Sequence, residues 1–331
     1  MKNILLIISL LFILSCCTVP VEEPEWVDAI FIMDDDGNNV THLIDDCPEN
    51  VQFTPDGTKI ILNRWSIWTI NIDGTECKPI MDSLSVLSEL PSIYSDSLGY
   101  TKIIFSAYRD EKSPSDVYIM DIDGTNLQNL TNTPDVQEGY PNFSFDGSKI
   151  VYTTRQDSIN SIFIMDANGA NKSEVISNST KYYLYSYPIF NSNGDTIFYK
   201  YTGLPRGLYS INVDGTNSTL LYAGYVGYTF PSISADGNKI VFYVSNDIFI
   251  MNGDGTDITR LAEGGSPMIS SNGEKIVFGG VKIMNSDGSE LTKLEHGGHP
   301  RFSNNKYKDN YKIVYISERK ITKKGSNGIL F

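Results

Sequence analysis

The chain is poor in the residues that build metal and redox centres. Its 331 residues include four cysteines (Cys16, Cys17, Cys47, Cys77) and three histidines (His42, His296, His299). Two histidines in one His-x-x-His stretch supply two ligands where a zinc site needs three or four, so neither a metal nor a cofactor is expected. Basic residues are scarce too. There are 26 Lys and Arg against 40 Asp and Glu, a formal net charge of −14. Nucleic-acid binding, which needs a basic footprint, is excluded. No Gly-x-Ser-x-Gly elbow occurs, and the chain ends at Phe331 with no room for a hydrolase domain. With 20% charged and 40% apolar residues, the chain has enough apolar surface for a core and is not an acidic disordered polymer.

The one long apolar run is Ile4–Leu14, interrupted by Ser9 and preceded by Lys2. It is too short to span a bilayer comfortably and fits the core of a signal peptide. Ser15-Cys16 follows, so residues 1–15 read as a lipoprotein signal with Cys16 as the lipidated residue. Cys17 is the alternative acceptor, and an ordinary secretory signal the alternative reading. Residues 16–28 carry Pro20, Pro24 and several acids and read as a tether. Residues 29–317 form one folded unit, and 318–331, with Lys320, Lys323 and Lys324, a basic tail. These features predict an envelope protein held to the membrane by lipid at Cys16, monomeric, facing the periplasm or the surface.

The folded unit is organised by Pro231–Leu261, PSISADGNKIVFYVSNDIFIMNGDGTDITRL. Two Asp-Gly turns separate short runs rich in β-branched and aromatic residues, which reads as four strands in sequence. Both central residues of such turns are expected at positive φ. The second turn recurs at Gly37, Gly74, Gly124, Gly169, Gly215, Gly255 and Gly288, at intervals of 33 to 50 residues. The average, about 42, matches a four-stranded propeller blade. The first turn recurs at Gly57, Gly147, Gly194, Gly237 and Gly273, with degenerate copies near Ser95–Gly99 and Ser303–Lys306. The ends are complementary: Ala29–Asp34 and Thr41–Ile44 lack two strands before them, and Pro300–Ser303 and Lys312–Ser317 lack two after. The expectation is an all-β, seven-bladed propeller whose last blade is closed by both termini. Six blades, or an open β solenoid, are the alternatives.

FTPDGTKIIL, FSFDGSKIVY, ISADGNKIVF and ISSNGEKIVF, followed by segments such as DVYIMDIDGTNLQNLT, resemble the TolB-like propeller repeat over about residues 29–317. The resemblance implies a periplasmic binding protein or a peptidase's gating propeller, here without the α/β domain that precedes the propeller in TolB.

Blade topology puts both turn types on one face. The turn aspartates there read as backbone-bonding turn residues and not as calcium ligands. The other face carries the connections between blades and between second and third strands. Tyrosine and arginine gather in them, the pair that interfaces and sugar sites use. The candidate ligand-binding residues are Tyr140, Tyr187, Tyr228, Arg109, Arg155 and Arg206, and the expected ligand is a glycan or an envelope protein's peptide. The chain is read as a binding or scaffold module and not an enzyme. A propeller enzyme, such as a metal-dependent polysaccharide lyase using His296 and His299 in an inter-blade connection, is the alternative. Cys47 and Cys77 fall on opposite faces, too far apart for a disulfide. Trp68, Tyr118, Phe163 and Phe249 share one place in successive third strands and are assigned to the core.

Overall fold

Glycine-containing turns fix where each strand reverses, and the blades follow from that spacing. The computed structural model describes residues 25–45, 50–64, 66–81, 85–86, 91–110, 113–179, 184–225, 231–294, 298–303 and 311–321. These form seven antiparallel sheets and, among the described residues, no helix.

Blade 1 is Asn50–Phe53, Lys59–Arg64, Ser66–Asn71 and Lys78–Met81. Blade 2 is Ser92–Ser95, Thr101–Tyr108, Ser115–Asp121 and Gln128–Asn129, with Ser85–Val86 as an added pairing on its second strand. Blade 3 is Gln137–Phe143, Lys149–Gln156, Ile159–Asp166 and Ser173–Asn178. Blade 4 is Tyr185–Phe190, Thr196–Tyr201, Gly207–Asn212 and Thr219–Ala223. Blade 5 is Ser232–Ile233, Lys239–Val244, Asp247–Asn252 and Thr259–Glu263. Blade 6 is Met268–Ile269, Lys275–Phe278, Lys282–Asn285 and Thr292–Lys293.

Blade 7 is built from both ends of the chain. Gly298–Phe302 and Lys312–Ile321 form its inner half, Glu25–Asp34 and Thr41–Asp45 its outer half. Phe31 faces Tyr315 and Ile32 faces Val314, in a ladder that runs from Glu25↔Ile321 to Asp34↔Lys312, wider than the 29–317 span read from the sequence. One side of the seam packs Ile30, Ile32 and Val314 on Val51 and Phe53 of blade 1. The other packs Met33, Ile313 and Tyr315 on Val277 and Ile283 of blade 6. Each such side chain contributes about 1.5–3 kcal/mol when fully buried. The ring therefore closes with seven blades, and closure leaves no open sheet edge at the seam.

Between blades the core repeats as cross-strand aromatic pairs. Phe105 meets Tyr118, Tyr152 meets Phe163, Tyr199 meets Tyr209, Phe242 meets Phe249 and Phe31 meets Tyr315, with centroids 5.5 to 5.9 Å apart. Such pairs add about 0.5–1.5 kcal/mol beyond their area. Trp68 departs from the expectation. It is 37% exposed, because its partner across the strands is Leu62 and not an aromatic ring.

The turns also differ from expectation in one respect. Of the two central residues only the glycine takes positive φ, and in the second kind of turn the residue two further on, such as Glu76 at φ 52°, joins it. The amide of Gly74 donates to Asn71 O and that of Asn71 to Thr75 O, a type I turn closed by a left-handed glycine. The Asp73 carboxylate accepts from the Thr75 amide and hydroxyl, at 2.9 and 2.6 Å. Those two bonds hold its pKa below the usual range. Asp123, Asp214, Asp254 and Asp287 repeat the arrangement. Cys77 is a half-buried free thiol, and burial pushes its pKa up. Cys47 lies outside the described residues, as do Cys16, Cys17 and the signal segment.

Candidate functional site

The inner strand of a blade starts at the loop face and runs toward the turn face. In three blades it starts with a bulge around an X-Pro pair. In blade 3 Gly139 pairs with Thr153 and Asn142 with Val151, so three steps on one strand match two on the other. Blade 4 repeats this between Ser186 and Ile189, and blade 7 between Gly298 and Arg301. The extra residues are Tyr140-Pro141, Tyr187-Pro188 and His299-Pro300. Proline cannot donate to the ladder, and a bulge gives it a place without a missing bond.

Tyr140 and Tyr187 sit at φ 52° and 54°. A tyrosine in this left-handed region is uncommon and costs about 1–3 kcal/mol, and such strain collects at functional sites. The bulge re-aims both rings so that they meet, with centroids 4.5 Å apart, although they come from neighbouring blades. Beneath them lies a lysine that the sequence reading did not single out. Lys200 is 4% exposed and directly opposite Ser186 in the sheet. Its ammonium stands 5.7 Å from the Tyr187 ring centre and 5.4 Å from that of Tyr225. Burial, helped by the nearby Arg206 charge, lowers its pKa to about 8. Arg206 covers the Tyr225 ring at 5.7 Å. Tyr187, Lys200, Tyr225 and Arg206 thus form one continuous set of rings and cations, with Tyr140 at its edge.

The remaining candidates are placed differently. Arg155 is exposed, opposite Gln137, at the end of the second strand of blade 3. Arg109 is tied to the buried Asp116 at 2.8 Å. Asp116 also accepts from Asn129 Nδ2, the Thr131 hydroxyl and the Thr133 amide, so this arginine belongs to a network that knits blade 2 to blade 3. The network ends at Glu138, 2% exposed, whose Oε1 accepts from the Thr133 hydroxyl. Burial raises the Glu138 pKa to about 8, against the Thr133 bond and with the help of Asp116. Tyr228 lies outside the described residues.

Two tyrosines near the same loops, Tyr185 and Tyr222, belong to the core. Tyr185 packs on Tyr199 and Tyr201, and Tyr222 on Phe249. His299 belongs to the inner strand of blade 7, where an inter-blade connection was expected. His296 and the side chain of His299 lie outside the described residues. The signal that would have found the rim is the X-Pro pair opening successive inner strands. The burial of Lys200 had no local signal.

No protein-family model matches the chain, and no curated protein does. Solved structures match by fold. A protein assigned as TolB from Agrobacterium tumefaciens is 15% identical with a TM-score of 0.58, over 90% of this chain and 99% of that one. An oligogalacturonate lyase from Vibrio parahaemolyticus is 13% identical, TM-score 0.60, over 89% and 98%. A puromycin-hydrolyzing peptidase from Mycobacterium tuberculosis is 9% identical, TM-score 0.60, over 85% of this chain and 56% of its own, so the chain spans little more than half of that enzyme. At these identities the likeness is one of fold. It nevertheless corrects the expectation that the chain is not an enzyme. Enzymes share this ring of blades, one of them at nearly the same length, so the lack of a Gly-x-Ser-x-Gly elbow does not separate this chain from them. The fold is that of the TolB propeller and equally that of propeller enzymes.

Proposed function

We propose that this chain is a lipid-anchored cell-envelope protein with TolB-like repeats, whose loop face binds an extended glycan or peptide across Tyr140 and Tyr187. The observation that carries the reading is the ring pair itself: two tyrosines from adjacent blades, both in the left-handed region, 4.5 Å apart above a buried lysine. Aromatic faces bordered by cations supply both the apolar platform and the few placed polar groups that ligand sites use. Arg155, Arg206 and Tyr228 extend the platform, and Arg109 holds the blade 2–3 boundary beside it. Cys16 carries the lipid, the residues from there to the start of the Glu25–Asp34 strand form the tether, and the expected ligand is an envelope glycan or protein.

The test is a glycan and peptide array read with the purified propeller, followed by the Tyr140→Ala, Tyr187→Ala, Arg155→Ala triple variant. Affinity for any ligand found should fall at least about 100-fold, the sum of two aromatic anchors and one charge. Undiminished affinity in a folded triple variant refutes the placement. A second reading, an enzyme acting on the same ligand, draws on one observation: His299 holds the bulge position that carries tyrosine in blades 3 and 4. Turnover lost in His299→Ala with binding kept would select it.

A further inference from the structure

One inner-strand position can be followed around the whole ring by register. Gln52 pairs with Ile61, Ser92 with Ile104, Asn142 with Val151, Ile189 with Phe198, Ser232 with Val241, Met268 with Val277 and Arg301 with Val314. Each partner lies two residues after the lysine (Thr196 in blade 4) that begins the Lys-Ile-Val-like run of its second strand, so the seven positions are equivalent and encircle the axis at one depth. In blades 3, 4 and 7 they lie two residues below the bulge, about 7 Å beneath the rim at strand rise.

Most polar members of this circle are satisfied by the next blade. Gln52 donates to Pro91 O at 2.5 Å. The Ser92 hydroxyl donates to Asn142 Oδ1 at 3.1 Å and accepts from the Phe143 amide at 3.2 Å. The Ser232 hydroxyl accepts from the Ile269 amide at 3.2 Å. Arg301 breaks the pattern. It is the one charged member, and it is 9% exposed. Of the five N–H groups of its guanidinium, one donates to an acceptor among the described residues, the carbonyl of Pro300 beside it, at 3.0 Å. No carboxylate pairs with it among the described residues. Burial alone, without any anion to oppose it, lowers its pKa to about 10, still far above neutral, so it is charged. A buried cation without a counter-charge is destabilising, and a deep set of unused donors calls for an acceptor.

We propose that Arg301, about 7 Å beneath the loop-face rim, receives a carboxylate carried by a bound ligand. A single planar guanidinium matches a carboxylate in charge and in its two-pronged geometry. The proposal rests on the reading of the loop face as a ligand site, and it adds what chemical group the ligand must bring. A carboxylate can come from a sugar acid or from the end of a peptide, and the two are separable by experiment.

The experiment measures thermal unfolding of the full propeller at fixed ionic strength in chloride, then with glucuronate, glucose, inorganic phosphate, and one tripeptide in free-acid and amidated forms. Glucuronate or the free-acid peptide should raise Tm by about 3 °C or more near saturation, and glucose and the amide should not. Glucuronate alone acting assigns a sugar acid, and the free-acid peptide alone a chain end. Arg301→Gln should lose that rise. Arg301→Met, which removes the buried charge, should melt higher than wild type in chloride and also ignore carboxylates. No rise for wild type with any carboxylate overturns the proposal, as does a larger rise with phosphate, or an equal rise in Arg301→Gln or Arg301→Met. These small probes do not require the Tyr140–Tyr187 platform. Failure of the tyrosine triple variant to lose binding would therefore leave this result standing, and the reverse holds as well.

Discussion

The two faces of the ring are built by opposite rules. On the turn face the aspartates are satisfied within their own turns or by a lysine of their own or the adjoining blade. Lys102 meets Asp121, Lys149 meets Asp166, and Lys275 reaches Asp35 in the next blade. Lys312 closes on Asp34 across the seam. On the loop face the repeat is abandoned. There Glu138, Lys200 and Arg301 are buried, two tyrosines are held in the left-handed region, and Arg155 stands exposed at the edge. Regularity marks the face that holds the ring together, and irregularity the face with groups left over for something else.

The largest effect expected from breaking this contrast is at a turn glycine that touches the next blade. Gly124 has φ +87°, and a Cβ there would meet Ile80 O of blade 1 at 2.0 Å. Gly124→Ala should cost about 3 kcal/mol, from backbone strain and collision together. Gly57 has φ +71° and open space around it, so Gly57→Ala should cost about 1 kcal/mol. Chemical denaturation of the pair tests whether the turn face stabilises by contact between blades or only by local geometry. Equal losses would mean local geometry alone.

Next comes the network behind the loop face. Asp116→Ala strips Arg109, Asn129, Thr131 and the Thr133 amide of their shared acceptor, and should cost about 2 kcal/mol. If this face were loosely packed throughout, the loss would be near zero.

Glu138 offers a smaller and pH-dependent effect. Its folded pKa is raised to about 8 from an ordinary 4.5. Between those values the folded chain holds a proton that the unfolded chain has released. Its contribution to stability is therefore complete below about pH 4.5 and is lost as pH rises through 8. Glu138→Gln keeps the shape without the ionisation. Wild type and variant should be equally stable near pH 4.5, and the variant more stable by about 1–2 kcal/mol at pH 9. Lys200, also titrating near 8 with the opposite sign, cancels in the difference. A difference that does not change with pH would place Glu138 in contact with water.

The turn face was legible in the sequence because its determinants are local. Gly74 and Asp73 need only their own turn, so counting such turns counted the blades, and the unfinished ends at Phe31 and Val314 predicted the seam. The loop face was legible by composition, in Tyr140 and Tyr187, but not by arrangement. Lys200 follows Phe198 and Tyr199 in an ordinary strand, and what buries it are rings at Tyr187 and Tyr225. Arg301 looks like any surface arginine until register sets it among Gln52, Ser92 and Asn142. Trp68 failed in the other direction, since its strand place matched buried rings but its partner across the strands was not aromatic. Burial of a single charge or ring depends on residues far away in the chain, and no periodicity reports it.

The smallest effect on stability is the one that separates the faces most sharply. Arg109 and Arg155 end or follow the second strands of adjacent blades, both on the loop face. The first is held by Asp116, and Arg109→Ala should lower stability measurably, through loss of a charged hydrogen bond that is partly screened by solvent. The second is exposed, and its side chain makes no hydrogen bond or ion pair with a described residue. Arg155→Ala should therefore stay within about 0.5 kcal/mol of wild type. If the loop face takes an anionic ligand, the same change should slow association and flatten its salt dependence, as rim charges do, while leaving dissociation nearly unchanged. Stopped-flow or surface-based kinetics at two salt concentrations would read both rates. An Arg155→Ala variant that costs as much stability as Arg109→Ala would show this arginine serving the fold, and the loop face would then have no cation left free at its edge in blade 3.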